Sequence, residues 1–172
     1  MASPVRRLFQ SPENILKPYI REGMTVLEIG SGMGFFTLPM ARLVGESGHV
    51  VCVDLQEKMI RAVKKRAVRA GLIDRIELRV CTPTSLDIDD LAEKVDFALV
   101  FAVVHEVPDA ERFLSEIQRS LRKGGSLFFS EPAGHVSRKA FGGTLAIAQM
   151  LGFRIAGSPK IKRSHSSLWV KD

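Results

Sequence analysis

Cysteine, tryptophan and tyrosine are scarce in this 172-residue chain, which has two of the first and one of each of the others. Cys52 and Cys81 lie in separate apolar, strand-like runs with no C-x-x-C spacing. That excludes a cysteine-based zinc site and reads as two reduced core thiols of a cytosolic protein. No apolar run approaches the length of a membrane span. The opening MASPVRRLFQSPEN has two arginines but no apolar segment behind them, so it is not a secretory signal. There is no internal repeat, no low-complexity stretch and no G-x-x-x-x-G-K-[ST] phosphate loop.

What remains is an ordinary globular composition, 45% hydrophobic and 26% charged. The length suits a single domain over 1–172, with a helical lid segment over 1–20 and a core over 21–172. The formal net charge of +6 permits a nucleic-acid partner without requiring one. Part of the excess lies in RAVKKRAVR, where Arg61, Lys65 and Arg69 recur every four residues and form one stripe on a helix, read as a solvated face.

Strand and helix patterns alternate along the chain. Ser11-Pro12 starts a short helix to about residue 20. Apolar runs at 24–29, 49–54, 75–80, 95–104 and 126–131 read as strands. Helical spacing fills 38–44, 56–71, 109–121 and 137–151, with a further short helix over 86–94. Lys123-Gly124-Gly125 reads as a turn, and 153–171 as a closing strand pair. Continuous apolar strands separated by helices predict an α/β doubly wound sheet of about seven strands, covered by helices on both faces. Ligands bind such sheets at the carboxyl ends of the strands. The stretch VLEIGSGMGFF, an apolar strand running into Gly30, Gly32 and Gly34, lies at such an end.

The glycine spacing does not suit a nicotinamide cofactor, because Phe35 stands where G-x-G-x-x-G needs its third glycine. The only tyrosine, Tyr19, precedes the first strand, too early for a short-chain dehydrogenase. What does fit is E-x-G-x-G-x-G from Glu28 to Gly34, an acidic residue, Asp54, ending the second strand, HEVPD after the fourth, and LRKGG before the fifth. On these motifs the chain resembles the class I S-adenosylmethionine-dependent methyltransferases, in the style of the small-molecule enzymes of quinone biosynthesis. The resemblance covers nearly the whole chain.

It implies a Rossmann-like sheet whose last strand is antiparallel, and S-adenosylmethionine as cofactor. It also implies cofactor-binding positions at Glu28, Gly30, Ser31, Gly32, Gly34, Asp54, Leu55, Met59, Thr82, Pro83, Phe101 and Ala102. Glu28 would meet the ligand's ammonium through water, and Asp54 would accept hydrogen bonds from the ribose hydroxyls while also capping the helix from 56. Leu55 and Met59 would flank the adenine. Thr82 departs from the family, which places an acidic residue there for the adenine amine.

Methyl transfer from a sulfonium needs mainly alignment and exclusion of water, with a base only if the acceptor loses a proton. His105 and Glu106 after the fourth strand, and His135 after the fifth, are the candidate catalytic residues. Glu131, Arg138 and Lys139 share the second of these loops. His105, Glu131 and His135 lack the close i,i+3 or i,i+4 spacing of a metal site, so no metal is expected. A-V-V-H, in place of the N-P-P-Y-like motif of amino-methylating members, argues against DNA-adenine, guanine-N2 and glutamine acceptors.

A basic rim of Arg138, Lys139, Lys160, Lys162 and Arg163 would favour an anionic acceptor. The expected function is a cytoplasmic methyltransferase with a small-molecule acceptor, favoured over nucleic acid. The alternatives are an RNA methyltransferase and a non-catalytic S-adenosylmethionine-binding subunit. No membrane partner is expected, and the oligomeric state is not read from the chain.

Overall fold

The computed structural model describes residues 11–172, so the first ten residues of the expected lid segment, and the reading of them as lacking a signal, lie outside the described part. The chain separates into two compact units, the first ending at Cys81 and the second spanning Thr82–Asp172. The seven strands form a mixed sheet, in the order β3-β2-β1 in the first unit and β4-β5-β7-β6 in the second.

In the first unit, helix α1 (Pro12–Leu16) is shorter than the pattern to residue 20 suggested. Pro18 contributes to this, since it has no N–H to donate back to the helix. Strand β1 (Thr25–Ile29), helix α2 (Thr37–Leu43), strand β2 (His49–Asp54), helix α3 (Glu57–Arg69) and strand β3 (Ile76–Val80) follow. The three strands are parallel, with Glu28 opposite Cys52 and Asp54 opposite Val80. Every residue of β1 and β2 after the first is buried, as expected for strands covered on both faces. Helix α3 buries Ile60, Val63 and Ala67 on one stripe. Its Arg61, Lys65 and Arg69 are exposed, and Arg61 pairs with Glu57 one turn earlier, as a solvated face does.

Strand β3 behaves differently. It is the edge of the sheet, and only Ile76 in it is buried. The expectation of two core thiols is therefore corrected: Cys52 is buried in β2, whereas Cys81, just beyond β3, is half-buried. Neither cysteine is in a disulfide.

The second unit holds β4 (Val95–Phe101), α4 (Ala110–Ser120), β5 (Leu121–Pro132), α5 (Arg138–Met150), β6 (Phe153–Gly157) and β7 (Ser164–Lys171). The short helix expected over 86–94 is a single 3-10 turn, Asp89–Leu91. Strands β4 and β5 are parallel, and β7 is antiparallel to both β5 and β6. The Lys123-Gly124-Gly125 turn lies inside β5 rather than before it. Val95 pairs with Leu121 but Phe97 pairs with Ser126, so the intervening residues of β5 bulge out of register. Gly125 makes this bulge possible, because a Cβ there would stand 2.8 Å from the Arg122 carbonyl oxygen and 3.0 Å from that of Val95.

Helix α4 buries the Phe113, Leu114 and Ile117 face foreseen from its spacing and is capped by Asp109, which accepts from Arg112 N. The one tryptophan, Trp169, is fully buried. It packs against Phe129 and Phe153, and its indole N–H donates to Ser167 Oγ at 2.7 Å.

Candidate functional site

Where β1 ends, the chain must turn sharply under the end of β2. Gly30 N donates to Val53 O at 2.9 Å, and Gly30, Gly32 and Gly34 all take positive φ, 75°, 52° and 79°. At Gly32 a Cβ would meet nothing within 4 Å. That glycine therefore serves the left-handed backbone, and the space beside it is open.

Asp54, at the end of β2 and 7% exposed, holds this loop. Its Oδ2 accepts from Gly32 N at 2.9 Å and from Ser31 Oγ at 3.4 Å. Its Oδ1 accepts from Gln56 N at 2.8 Å. Gln56, not Asp54, occupies the N-cap position of α3, so the carboxylate braces the helix start from two residues upstream. A carboxylate offers about four acceptor sites, which leaves Asp54 capacity for a further donor. Beside it Leu55 is 52% exposed and Met59 half-buried, an open apolar surface next to an acceptor. Arg66 of α3 donates to the Met33 carbonyl and ties the loop from the other side. Nothing in the sequence marked Arg66, because its partner is a backbone oxygen 33 residues away.

Glu28 sits one strand-face away, 2% exposed. Thr37 Oγ1 donates to its Oε2, and Cys52 Sγ lies 3.9 Å from the same hydroxyl. Burial, opposed by the Thr37 bond and reinforced by the Asp54 charge, raises its pKa from 4.5 to about 8. Burial likewise pushes the Cys52 thiol up, with the Glu28 charge next in weight. Glu28 thus holds its proton well above the ordinary carboxylate range.

The linkage follows. Between pH 4.5 and about 8 the folded chain keeps a proton that the unfolded chain releases, so stability falls as pH rises through this window and levels off above it. Glu28→Gln is expected to flatten that decline. Urea unfolding of both proteins at several points between about pH 5 and 8 checks it, and parallel pH curves for the two would contradict it.

The second unit gathers a separate set. Ala102 follows β4 in a left-handed conformation, φ 62°, and its N–H donates to Ser130 O at 2.7 Å. The chain then makes a 3-10 turn, Val104–Glu106. Glu131, near the end of β5 and 2% exposed, anchors this turn. Its Oε1 accepts from Val103 N at 3.1 Å and Val104 N at 2.8 Å, and its Oε2 takes the His105 Nδ1 contact.

An ionised carboxylate only accepts, so this contact places the proton of a neutral His105 on Nδ1 and leaves Nε2 as the basic nitrogen. The backbone of His105 is open but its ring is only 23% exposed. Nε2 lies 3.8 Å from Glu106 Oε1. The His135 ring meets that of His105 edge-on, centroids 5.9 Å apart. His105, Glu106 and His135 therefore come together around Glu131. Among the described residues no three His, Cys, Asp or Glu side chains are placed to hold a metal ion.

Of the other expected positions in this unit, Phe101 is half-buried at the end of β4, and Thr82 and Pro83 are exposed. Thr82 Oγ1 accepts from Ser85 N at 3.0 Å and closes its own turn, a use of the hydroxyl that its composition alone did not suggest.

A family model described as a methyltransferase domain matches residues 20–152. The ubiquinone/menaquinone biosynthesis C-methyltransferase UbiE of Hahella chejuensis is 32% identical over 144 residues, 82% of this chain and 57% of that protein. UbiE of Escherichia coli O1:K1 / APEC is 30% identical over 125 residues, 71% of this chain and 49% of that protein. The chain spans about half the length of these curated relatives. Among solved structures, a SAM dependent methyltransferase from Aquifex aeolicus superposes with a TM-score of 0.84 at 24% identity, covering 98% of this chain and 93% of that one. That likeness establishes the fold as the doubly wound, Rossmann-like sheet. No helix among the described residues is long and apolar enough to cross a membrane.

Proposed function

We propose, from the premise that the chain belongs to the class I S-adenosylmethionine-dependent methyltransferase family, that it transfers a methyl group from S-adenosylmethionine to a small-molecule acceptor. The observation that carries this reading is the Asp54 carboxylate locked onto Gly32 N and Ser31 Oγ beneath a loop of three positive-φ glycines. The donor set suits the ligand. The loop from Glu28 to Phe36 contains no lysine or arginine, which a ligand without phosphates does not need. Asp54 keeps acceptor capacity for a ribose diol, and Leu55 and Met59 offer apolar surface for a flat base. Glu28, buried beside the loop, accepts from Thr37 at the start of α2, where the loop ends.

When bound, S-adenosylmethionine supplies a methyl group already activated on a sulfonium. The chain's own work is to hold the loop open, exclude water and accept a proton where the acceptor must give one up. His105 is the proposed base. Glu131 fixes its Nδ1–H and turns Nε2 outward, so that Nε2 receives the acceptor's proton as the new bond to carbon, oxygen or nitrogen forms. Glu106 and His135 border the same nitrogen and set its surroundings.

A small-molecule acceptor is supported by the relatives, which are named as quinone C-methyltransferases. Two cysteines outside any disulfide suit a reducing compartment such as the cytoplasm. Against RNA stands the Arg61, Lys65 and Arg69 stripe, a solvated helix face whose Arg61 is already paired.

The test is transfer of label from methyl-labelled S-adenosylmethionine into a cell lysate, fractionated before and after nuclease and protease. Label in a nuclease- and protease-resistant small-molecule fraction is the expected result. Label that nuclease removes moves the activity to RNA. Absence of transfer, with no binding of the cofactor, overturns the reading.

A further inference from the structure

From Pro132 to Lys171 the chain has no aspartate or glutamate and seven lysines and arginines. These seven more than account for the formal charge of +6, since the other 18 cations face 19 carboxylates. Two of the seven are committed elsewhere. Lys171 is buried and donates to Leu121 O at 2.7 Å, and Arg154 meets Asp172. The other five, Arg138, Lys139, Lys160, Lys162 and Arg163, are exposed, and Lys162 has an interaction partner of its own.

The fold brings the two segments that carry them together. Pro132 pairs with Ser164 where β5 meets β7, and immediately beyond, Ala133 N donates to Arg163 O at 2.9 Å. Among the described residues Arg138, Lys139, Lys160 and Arg163 make no ion pair with a carboxylate.

The arrangement is costly by itself. Among the described residues Arg163 is one of four non-glycine residues with positive φ, at 58°, a conformation that a β-carbon disfavours and glycine takes freely. Arg138 and Lys139 occupy the first two positions of α5, whose first turn has no acidic residue, although cations are unfavourable at that end of the helix dipole. Like charges crowded on two adjoining loops repel one another. An anion among them would offset the charge repulsion and the unfavourable helix-end term. The loop before α5 carries His135, three residues ahead of Arg138, and its ring lies against His105.

Resting on the methyltransferase reading above, we infer that the acceptor is a small anion, held by a phosphate or carboxylate group at the Arg138, Lys139, Lys160, Lys162 and Arg163 edge while its reactive atom faces His105. An apolar quinone gives this edge nothing to bind.

The test uses the full chain in low-salt buffer, with inorganic pyrophosphate and malonate as calorimetric probes. Saturable binding of either is expected, and which of the two binds more tightly separates a phosphate-bearing from a carboxylate-bearing acceptor. Arg163→Gly discriminates a binding role from a structural one. It removes the strained β-carbon, so its melting temperature should hold or rise by about 2–4 °C. The probe's affinity should nonetheless fall about tenfold, as the loss of a charge-assisted hydrogen bond predicts. Arg61→Gln with Lys65→Gln, on the exposed stripe of α3, should leave it unchanged.

No saturable binding of either probe overturns the inference, as does an Arg163→Gly affinity equal to the parent's or an equal loss in the α3 variant. A single-stranded RNA that binds more tightly than either probe and is lost in Arg163→Gly also overturns it. Binding of S-adenosylmethionine, measured in the same samples, shows separately whether the methyltransferase reading stands.

Discussion

Asp54→Ala is expected to weaken S-adenosylmethionine binding by about tenfold to a hundredfold, the range for losing a charge-assisted hydrogen bond with its buried partners. Two effects combine in this substitution. The first is loss of the acceptor for the ribose. The second is loss of the brace, because Gly32 N, Gln56 N and Ser31 Oγ all donate to this one carboxylate. Donors left without partners cost about 1–3 kcal/mol each where they stay buried, so the loop should also loosen and the melting temperature drop.

Asp54→Asn separates the two effects. An amide oxygen can still accept from Gly32 N, but its NH2 group faces Gln56 N or the ligand hydroxyls as a donor. Stability should therefore recover further than affinity does. Titration calorimetry with S-adenosylmethionine and its demethylated product, alongside thermal unfolding, checks both. An unchanged affinity in Asp54→Ala would remove the carboxylate from the binding site.

Glu131→Gln is expected to have the largest effect on turnover, a fall of about 10²- to 10⁴-fold in kcat, the usual contribution of a positioned general base. The glutamine carbonyl can still accept from Val103 N and Val104 N, so the 3-10 turn keeps its anchor. Toward His105, however, the side chain now presents an NH2. That donor takes the Nδ1 lone pair and drives the ring proton to Nε2, where the acceptor's proton should go. Activity is lost through the wrong tautomer while cofactor affinity and fold are retained.

Glu131→Ala should differ in kind, because two backbone N–H groups lose their partner and stability falls by about 2–4 kcal/mol. Two measurements distinguish a base from a merely structural histidine. In Glu131→Gln kcat should drop with no change in the dissociation constant for S-adenosylmethionine. In His105→Gly, added imidazole should restore part of the lost turnover. A Glu131→Gln enzyme with full kcat would show that His105 only packs the turn.

The strands of the interior were legible because burial on both faces writes itself as unbroken apolar sequence. HVVCVD became β2 residue for residue, and the seventh strand took the antiparallel direction foreseen for it. Position within the sheet was not legible in the same way. RIELRV alternates apolar residues with Arg75, Glu77 and Arg79, and β3 is accordingly an edge with only Ile76 buried, although which edge it forms depends on which strands pair. The LRKGG segment looked like a turn because two glycines break local patterns. Pairing of Leu121 with Val95 kept it within β5 as a bulge.

In the candidate site, the glycines and Asp54 stood in the motifs that carry the family resemblance. Partners that bridge elements could not. Thr37 reaches Glu28 from the next helix, Arg66 reaches Met33 across 33 residues, and Glu131 reaches His105 from a different strand. Thr82 was named for a ligand but spends its hydroxyl on Ser85, a local competition that threonine often wins in turns.

The aromatic packing around Trp169 has a spectroscopic consequence. The chain's one tryptophan lies in the second unit, shielded from water between Phe129 and Phe153, and its one tyrosine, Tyr19, lies in the first. Intrinsic fluorescence therefore carries two signals, each native to one half of the molecule and needing no label. Emission from the buried indole should sit to the blue and shift red as residues 82–172 open, while tyrosine emission follows residues 1–81. Midpoints that coincide would mean the halves melt as one cooperative body. Midpoints that separate would give each half its own stability.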